Sequence, residues 1–434
     1  EPKTEPPGPP AQNSSKLPVE GISVAPLDIR RANINWRDDT AGSLLAVRNL
    51  ELNTSKFISG EPLDLRLGFE LARDKNAPVK VALQSRLTVA PDTLKLSKVD
   101  LKLDDSRLTG NLDIQNFASP ALRFDLALDK IDLDRYLAPE KPAAKSTEAN
   151  KPAPVAAAPP TELSLSSLRS LDVKGSFRIQ EFRALNLKSQ DAHILLTAKN
   201  GLITLGPNQA KLYGGTYRGE TTVDVRGKSP QLKLNEKLDN VQIGPLLKDM
   251  DMFDSYTGVG NITLQLSASG FNATQIRKTL SGNARISFRD GRIDGIDLER
   301  IYQTVMSKGP TLEKAFQLLP KKDDMTKFGE MGASFKLTNG VAATNDLNIR
   351  MASLSVTGAG TEDLVQETNN MRIDLFEQKN VGRKCKSLPL RIRGTFSKIE
   401  PMIDDEYFKC AAQKALDKEI QKGLGDLFQK KKRK

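Results

Sequence analysis

The chain has 434 residues, enough for two or more domains, and is 38% apolar but only 5% aromatic, so Leu, Ile and Val must carry most of any core. Its net charge is +11, of which five units sit in the terminal "KKKRK"; one histidine and two cysteines exclude a His-rich or Cys-rich metal site. No stretch reaches about eighteen consecutive apolar residues, which excludes a spanning helix within this sequence, and basic residues are not interleaved with aromatics, so a membrane surface is a better anionic partner than nucleic acid.

Residues 1–22 begin "EPKTEPPGPPAQNSS", Pro-rich and polar, and read as a disordered linker in a fragment whose natural N-terminus lies upstream. Residues 23–137 read as a β-repeat region. In "LDLRLGFEL", Leu65, Leu67, Phe69 and Leu71 share a face. "VDLKLDDSRLTGNLDI" gives two strands about a turn at Asp104–Asp105. In "LRFDLALD", Leu122, Phe124, Leu126 and Leu128 point one way while Arg123, Asp125 and Asp129 point the other. Alternation of this kind marks half-exposed strands with one apolar face.

Residues 138–162 are rich in Pro, Ala and Lys, cannot bury a core, and read as a loop or linker. Residues 163–403 resume the alternation as a second β region. "KLYGGTYRGETTVDVRG" (211–227) is the one glycine-rich candidate for a phosphate loop. It lacks G-x-x-x-x-G-K-[ST] and the dinucleotide fingerprint, and it reads instead as a turn at Gly214–Gly215 followed by a strand with Val223 and Val225 inward. "GNITLQLSASG" places Ile262, Leu264 and Leu266 on one face, and "NARISFRDGRIDGIDL" reads as strand, turn at Asp290–Gly291, strand. Asn-Gly and Lys-Asn-Gly supply further hairpin turns. Short helices are expected over 272–280, 297–309 and 311–319. Residues 404–434 read as an amphipathic helix with Leu416, Ile420, Leu424 and Leu427 in a stripe that caps the open end of the sheet, then the basic tail, which is either a solubilising terminus or a contact for an anionic leaflet or a partner.

No catalytic constellation emerges. There is no G-x-S-x-G elbow, H-E-x-x-H or H-x-E, and the single His193 reads as a solvated strand residue. Catalytic residues, metal ligands and cofactors are therefore expected to be none. A transmembrane barrel shares the alternation, but one Trp and six Tyr cannot form its aromatic girdles. The expected fold is mainly β: an elongated, curled antiparallel sheet with a few short helices and a C-terminal amphipathic helix.

"AKLYGGTYRGETTVDVRG", "LDKIDLDRYLAP" (128–139), "ANINWRDDTAGSLLAVRNLEL" (32–52), "TLSGNARISFRDGRIDGIDL" (279–298) and "FKLTNGVAATNDLNIRMASLSVTGAGTEDL" (335–364) occur in an order that resembles the AsmA family of Gram-negative envelope proteins. The segment "FEQKNVGRKCKSL" (376–388) fits that pattern poorly. The resemblance implies a β-groove held at the inner membrane by an N-terminal helix missing from this chain and reaching into the periplasm. It implies a role in outer-membrane biogenesis and protein assembly, with phospholipid acyl chains and the inner membrane as partners and the outer membrane as a further one. Leu122, Phe124, Leu126, Leu128, Val223, Val225, Ile262, Leu264 and Leu266 are the residues such chains would touch. An oxidising periplasm would allow Cys385 and Cys410 to pair as a disulfide. The residues alone leave two readings open: a lipid-carrying groove, or a scaffold that influences outer-membrane protein assembly without carrying lipid.

Overall fold

The computed structural model describes residues 16–38, 43–73, 78–135, 165–250, 256–308, 323–380, 386–396, 398–410 and 412–413. Both expected linkers, the 311–319 helix, Cys385, the helix stripe from Leu416 to Leu427 and the basic tail lie outside the described residues, in whole or in their main part. Among the described residues the fold is mainly β, a curled and unclosed sheet of twenty strands with a few short helices. No helix among the described residues is long and apolar enough to cross a membrane. The chain divides into two compact units, one of residues 1–184, 188–209 and 224–226, the other of 185–187, 210–223 and 227–434.

In order along the chain, the first elements are β1 (Ser23–Val24), β2 (Asp28–Asp38), β3 (Ser43–Thr54), β4 (Phe57–Ile58), β5 (Pro62–Arg73), β6 (Val79–Ala90), β7 (Thr93–Leu103), β8 (Ser106–Gln115), β9 (Ala121–Asp132), α1 (Leu165–Arg169) and β10 (Asp172–Ala184). The ladder of unit one runs β2, β3, β5, β6, β7, β8, β9, β10, with antiparallel pairs as far as β9. The β9–β10 pair is parallel, which departs from the antiparallel expectation. A parallel neighbour needs a crossover connection, and the Pro/Ala-rich stretch between β9 and α1 is long enough to supply one.

Next come β11 (Leu187–Lys199), β12 (Leu202–Leu212), β13 (Gly215–Asp224), β14 (Gln231–Gln242), α2 (Ile243–Asp249), β15 (Tyr256–Ser269), α3 (Ala273–Thr279), β16 (Ser281–Asp294), α4 (Leu298–Lys308), β17 (Met325–Thr338), β18 (Val341–Arg350), β19 (Leu354–Asp363), β20 (Thr368–Glu377), β21 (Ser387–Thr395) and β22 (Lys398–Ile403). In unit two, β14 to β22 pair in chain order, all antiparallel. The turns at Asp104–Asp105, Asn200–Gly201 and Asn339–Gly340 join strands as the sequence predicts, whereas the turn expected at Gly214–Gly215 falls one residue earlier, at Tyr213–Gly214, with Gly215 already in β13. Tyr213 and Gly214 both have positive φ, 45° and 77°, as a two-residue hairpin turn of the primed type demands.

Asp290–Gly291 is not a turn. β16 runs straight through it as a single 14-residue strand, with Asp290 at φ 50° as a bulge. A Cβ on Gly291 would sit 2.4 Å from the Thr257 carbonyl oxygen and 2.1 Å from Phe328 Cζ, so the neighbouring strands close over the glycine and leave no room to turn. Bulges recur near the middle of strands, and each bends its strand and increases local twist. Three share one device. Asn49, Lys98 and Asn240 have φ between 53° and 55°. The N–H of each donates to an asparagine Oδ1 on the next strand: Asn33 at 3.1 Å, Asn111 at 3.2 Å and Asn261 at 2.9 Å. The curl therefore leaves none of these three backbone donors unpaired.

α3 is capped as its sequence predicts, Asn272 Oδ1 accepting from Gln275 N–H at 3.0 Å. α4 forms over the expected segment. α1 and α2 are too short for their periodicity to register in the sequence.

Candidate functional site: apolar sheet faces

Cross-strand neighbours stand on the same face of a sheet, so register shows how far an apolar face extends. In unit one, Leu52, Leu67, Leu83, Leu101, Leu108, Leu128 and Ile179 stand opposite one another in turn across seven strands. A second row runs Leu63, Leu87, Leu96, Leu112, Phe124 and Gly175. At about 4.8 Å per strand, the first row is about 29 Å long. All its members but Ile179 are half-buried, and no helix packs over the row among the described residues. Leu122, Phe124 and Leu128 are half-buried members of this face, whereas Leu126 is 7% exposed. The Phe124 ring lies over Gly175, where any Cβ would come within 2.5 Å of it, and meets Phe177 at 4.9 Å between centroids. The opposite face is charged and laced with exposed ion pairs such as Arg107–Asp100 at 2.8 Å and Arg178–Asp125 at 3.0 Å, each worth little to stability.

Unit two carries its own row: Val241, Gly260, Phe288, Met331, Ile349, Val356, Leu375 and Leu388. Here α4 lays Leu298, Ile301, Tyr302 and Val305 on the face, and together with Leu354, Ile373 and Leu390 these residues form a closed core. The helix is held by an Arg300–Asp324 ion pair. Asp404 Oδ1 accepts from Glu406 N–H at 3.1 Å at the start of the C-terminal helical segment, and Arg391 Nη2 donates to Asp404 Oδ2 at 2.8 Å. The Tyr407 hydroxyl reaches the Val305 carbonyl oxygen at 3.5 Å, so the opening turn of that segment packs against the core as a cover.

Ile262, Leu264 and Leu266 lie on the continuation of this face along β15, a strand that α2 and α3 also pack against, and are half-buried. Ile262 stands between Leu238 and Ile286, and Leu266 between Leu234 and Gly282. Val223 is half-buried in unit two. Val225, in unit one, is 1% exposed with its N–H bonded to the Gly201 carbonyl oxygen at 2.8 Å, a packing position. His193 is half-buried rather than fully solvated. Cys410 is described and is not a free thiol; its expected partner is outside the described residues. Among the described residues, no group of three or more His, Cys, Asp or Glu is placed to hold a metal ion.

Sequence reading missed two inward polar groups in unit two. Glu236 stands opposite Leu264, and its oxygens accept from the Tyr217 hydroxyl at 2.7 Å and the Thr221 hydroxyl at 2.8 Å. A Cβ on Gly219 would collide with the Glu236 carboxylate, so that glycine makes room for it. Burial, with Glu236 beside it, pushes the Tyr217 phenol well above its ordinary range. The second group is Glu362, at the end of the row Leu266, Gly282, Leu337, Ala342. Burial raises its carboxyl to about 7. The signal was present in each case as a Glu at an inward position of an alternating strand.

The AsmA family model matches residues 13–347. The chain belongs to the AsmA family. It is similar to Protein AsmA of Escherichia coli (strain K12), 22% identical over 355 residues, which cover 78% of this chain and 57% of that protein. It is also similar to AsmA family protein YhjG of the same organism, 22% identical over 219 residues, covering 50% of this chain and 30% of that protein. The chain thus spans little more than half of the first relative's length and less of the second's.

Proposed function

We propose that this AsmA family chain is a non-enzymatic component of the cell envelope whose apolar sheet faces bind phospholipid acyl chains. It works in the periplasm, anchored in the inner membrane, and supports outer-membrane biogenesis by holding or moving lipid between membranes. The observation that carries the reading is the row from Leu52 to Ile179, whose leucines are half-buried and have no covering layer among the described residues. An apolar face of that length in water is costly, and a bound acyl chain recovers about 0.8 kcal/mol per buried CH₂.

The test is lipid extraction and mass spectrometry of the purified chain, with Leu101→Asp and Leu264→Asp as variants. Lower co-purifying phospholipid with unchanged circular dichroism supports the reading. Loss of fold together with lipid would mean an ordinary core. An absence of lipid from the wild type would favour the scaffold reading, in which the chain influences outer-membrane protein assembly without cargo.

A further inference from the structure

In unit two, the row Leu234, Leu266, Gly282, Leu337, Ala342 is apolar until it reaches β19 and β20. There Glu362 stands opposite Ala342 on one side and Asn369 on the other. Both are on the core side of their strands. Val356 and Leu375 stand on that side in the same unbroken register, and Met371 and Ile373 beside Asn369 are 7% and 4% exposed. Glu362 is one residue from the end of β19, where the sheet meets its turn.

The acceptor oxygens of these two side chains receive no hydrogen bond among the described residues. Asn369 is 8% exposed, its Nδ2 donates to the Thr395 carbonyl oxygen at 3.5 Å, and its Oδ1 has no hydrogen-bond partner. No hydrogen bond or ion pair engages the Glu362 carboxyl among the described residues, and burial is what disfavours its charge. The Tyr256 phenol is close enough to feel that charge. Directly opposed residues of an antiparallel pair have Cβ atoms about 5 Å apart, so a single donor group can reach both acceptors. A buried acceptor left without a donor calls for an explanation, and Asn369 Oδ1 is one that stands beside a half-buried carboxyl. In the empty site a proton on Glu362 serves. A ligand that brings both hydrogens and positive charge serves better, because it also neutralises the carboxylate. Phosphate and other anions bring acceptors to acceptors and are rejected.

We propose that Glu362 and Asn369 form a headgroup site for a primary-amine phospholipid at the rim of the apolar face. The proposal rests on the acyl-chain reading, since the tails lie on the half-buried part of the row at Leu234 and Leu266, while Leu337 and Ala342 beside the site are packed at 6% and 7% exposed. The ammonium donates to the Glu362 carboxylate and to Asn369 Oδ1. A quaternary amine carries the charge without N–H donors, and a glycerol headgroup brings O–H donors without the positive charge that neutralises the carboxylate.

The experiment loads the full chain from vesicles of equal parts phosphatidylethanolamine, phosphatidylcholine and phosphatidylglycerol, and counts bound lipids by mass spectrometry. The wild type is expected to take ethanolamine lipid over each of the others by about tenfold, the scale of one charge-assisted hydrogen bond. Glu362→Gln is expected to erase that preference while total bound lipid is unchanged. Asn369→Ser reduces the preference and leaves total lipid constant; should that buried variant fail to fold, the half-exposed Glu362 position decides alone. Equal loading of the three lipids, or a preference that survives Glu362→Gln, overturns the headgroup site and leaves the acyl-face reading standing. A wild type that takes up no lipid of any kind overturns both.

Discussion

The two units make their sheets by the same rule and finish them differently. In unit one the leucine row from Leu52 to Leu128 is half-buried from end to end, and buried apolar residues are few and scattered, such as Leu63, Val99 and Leu126. In unit two a comparable row disappears beneath α4, and Leu354, Leu375, Leu388 and Leu390 are exposed by 1% or less. A sheet with one apolar face must bury it against something. Unit two supplies a helix from its own sequence for part of the face; in unit one no described element does so. The difference separates packing from binding. Where the cover is a helix, a leucine is a structural residue; where it is not, the same residue type is available to a ligand.

The largest effect should come from trimming the two rows equally. Leu375→Ala is expected to cost about 2–5 kcal/mol by cavity formation, and Leu101→Ala less than half as much, because the half-buried site loses less contact. Equal losses in urea melts would erase the distinction between the faces. The cysteines come next. Cys410 sits at the end of the segment that covers the unit-two core, and pairing with Cys385 would stabilise that end by about 3 kcal/mol. Alkylation of the unfolded, unreduced chain should find no free thiol; two labelled thiols would leave the cover without its clasp.

A smaller effect is expected from Tyr217→Phe, about 1 kcal/mol, since it removes one donor from the inward Glu236 while Thr221 keeps the other. No change in the melting midpoint would mean that water already serves that carboxylate. The last is a difference that appears only with pH. Glu362 titrates near 7 when folded, against an ordinary value of 4.5, so between those values the folded chain holds a proton that the unfolded chain has lost. Stability therefore falls as pH rises from about 4.5 to about 7, and the ionisation penalty is fully present above that. Glu362→Gln should raise Tm at pH 8 and lose this advantage as pH falls below 4.5. A constant offset across that range would show that Glu362 is not held neutral.

Composition and alternation were enough to place most strands, because a period of two with Leu, Ile and Val on one side has only one good home. Leu122, Phe124, Leu126 and Leu128 share a face in the structure as they do in the string "LRFDLALD". The hairpin turns at Asn339–Gly340 and Asp104–Asp105 were equally legible, since only residues tolerant of positive φ fit them. Tertiary structure decided what lies opposite each residue. Asp290–Gly291 has the composition of a turn, but strands packed against Gly291 on both sides hold it as a bulge. β9 and β10 are parallel because of where the chain returns, which no local pattern encodes. The cover on unit two depends on α4 meeting residues tens of positions away, and Glu362 and Asn369 face each other only because β19 and β20 align in one register. Alternation is local and written in the sequence; register, cover and the pairing of distant polar groups are properties of contacts, and only the fold makes them.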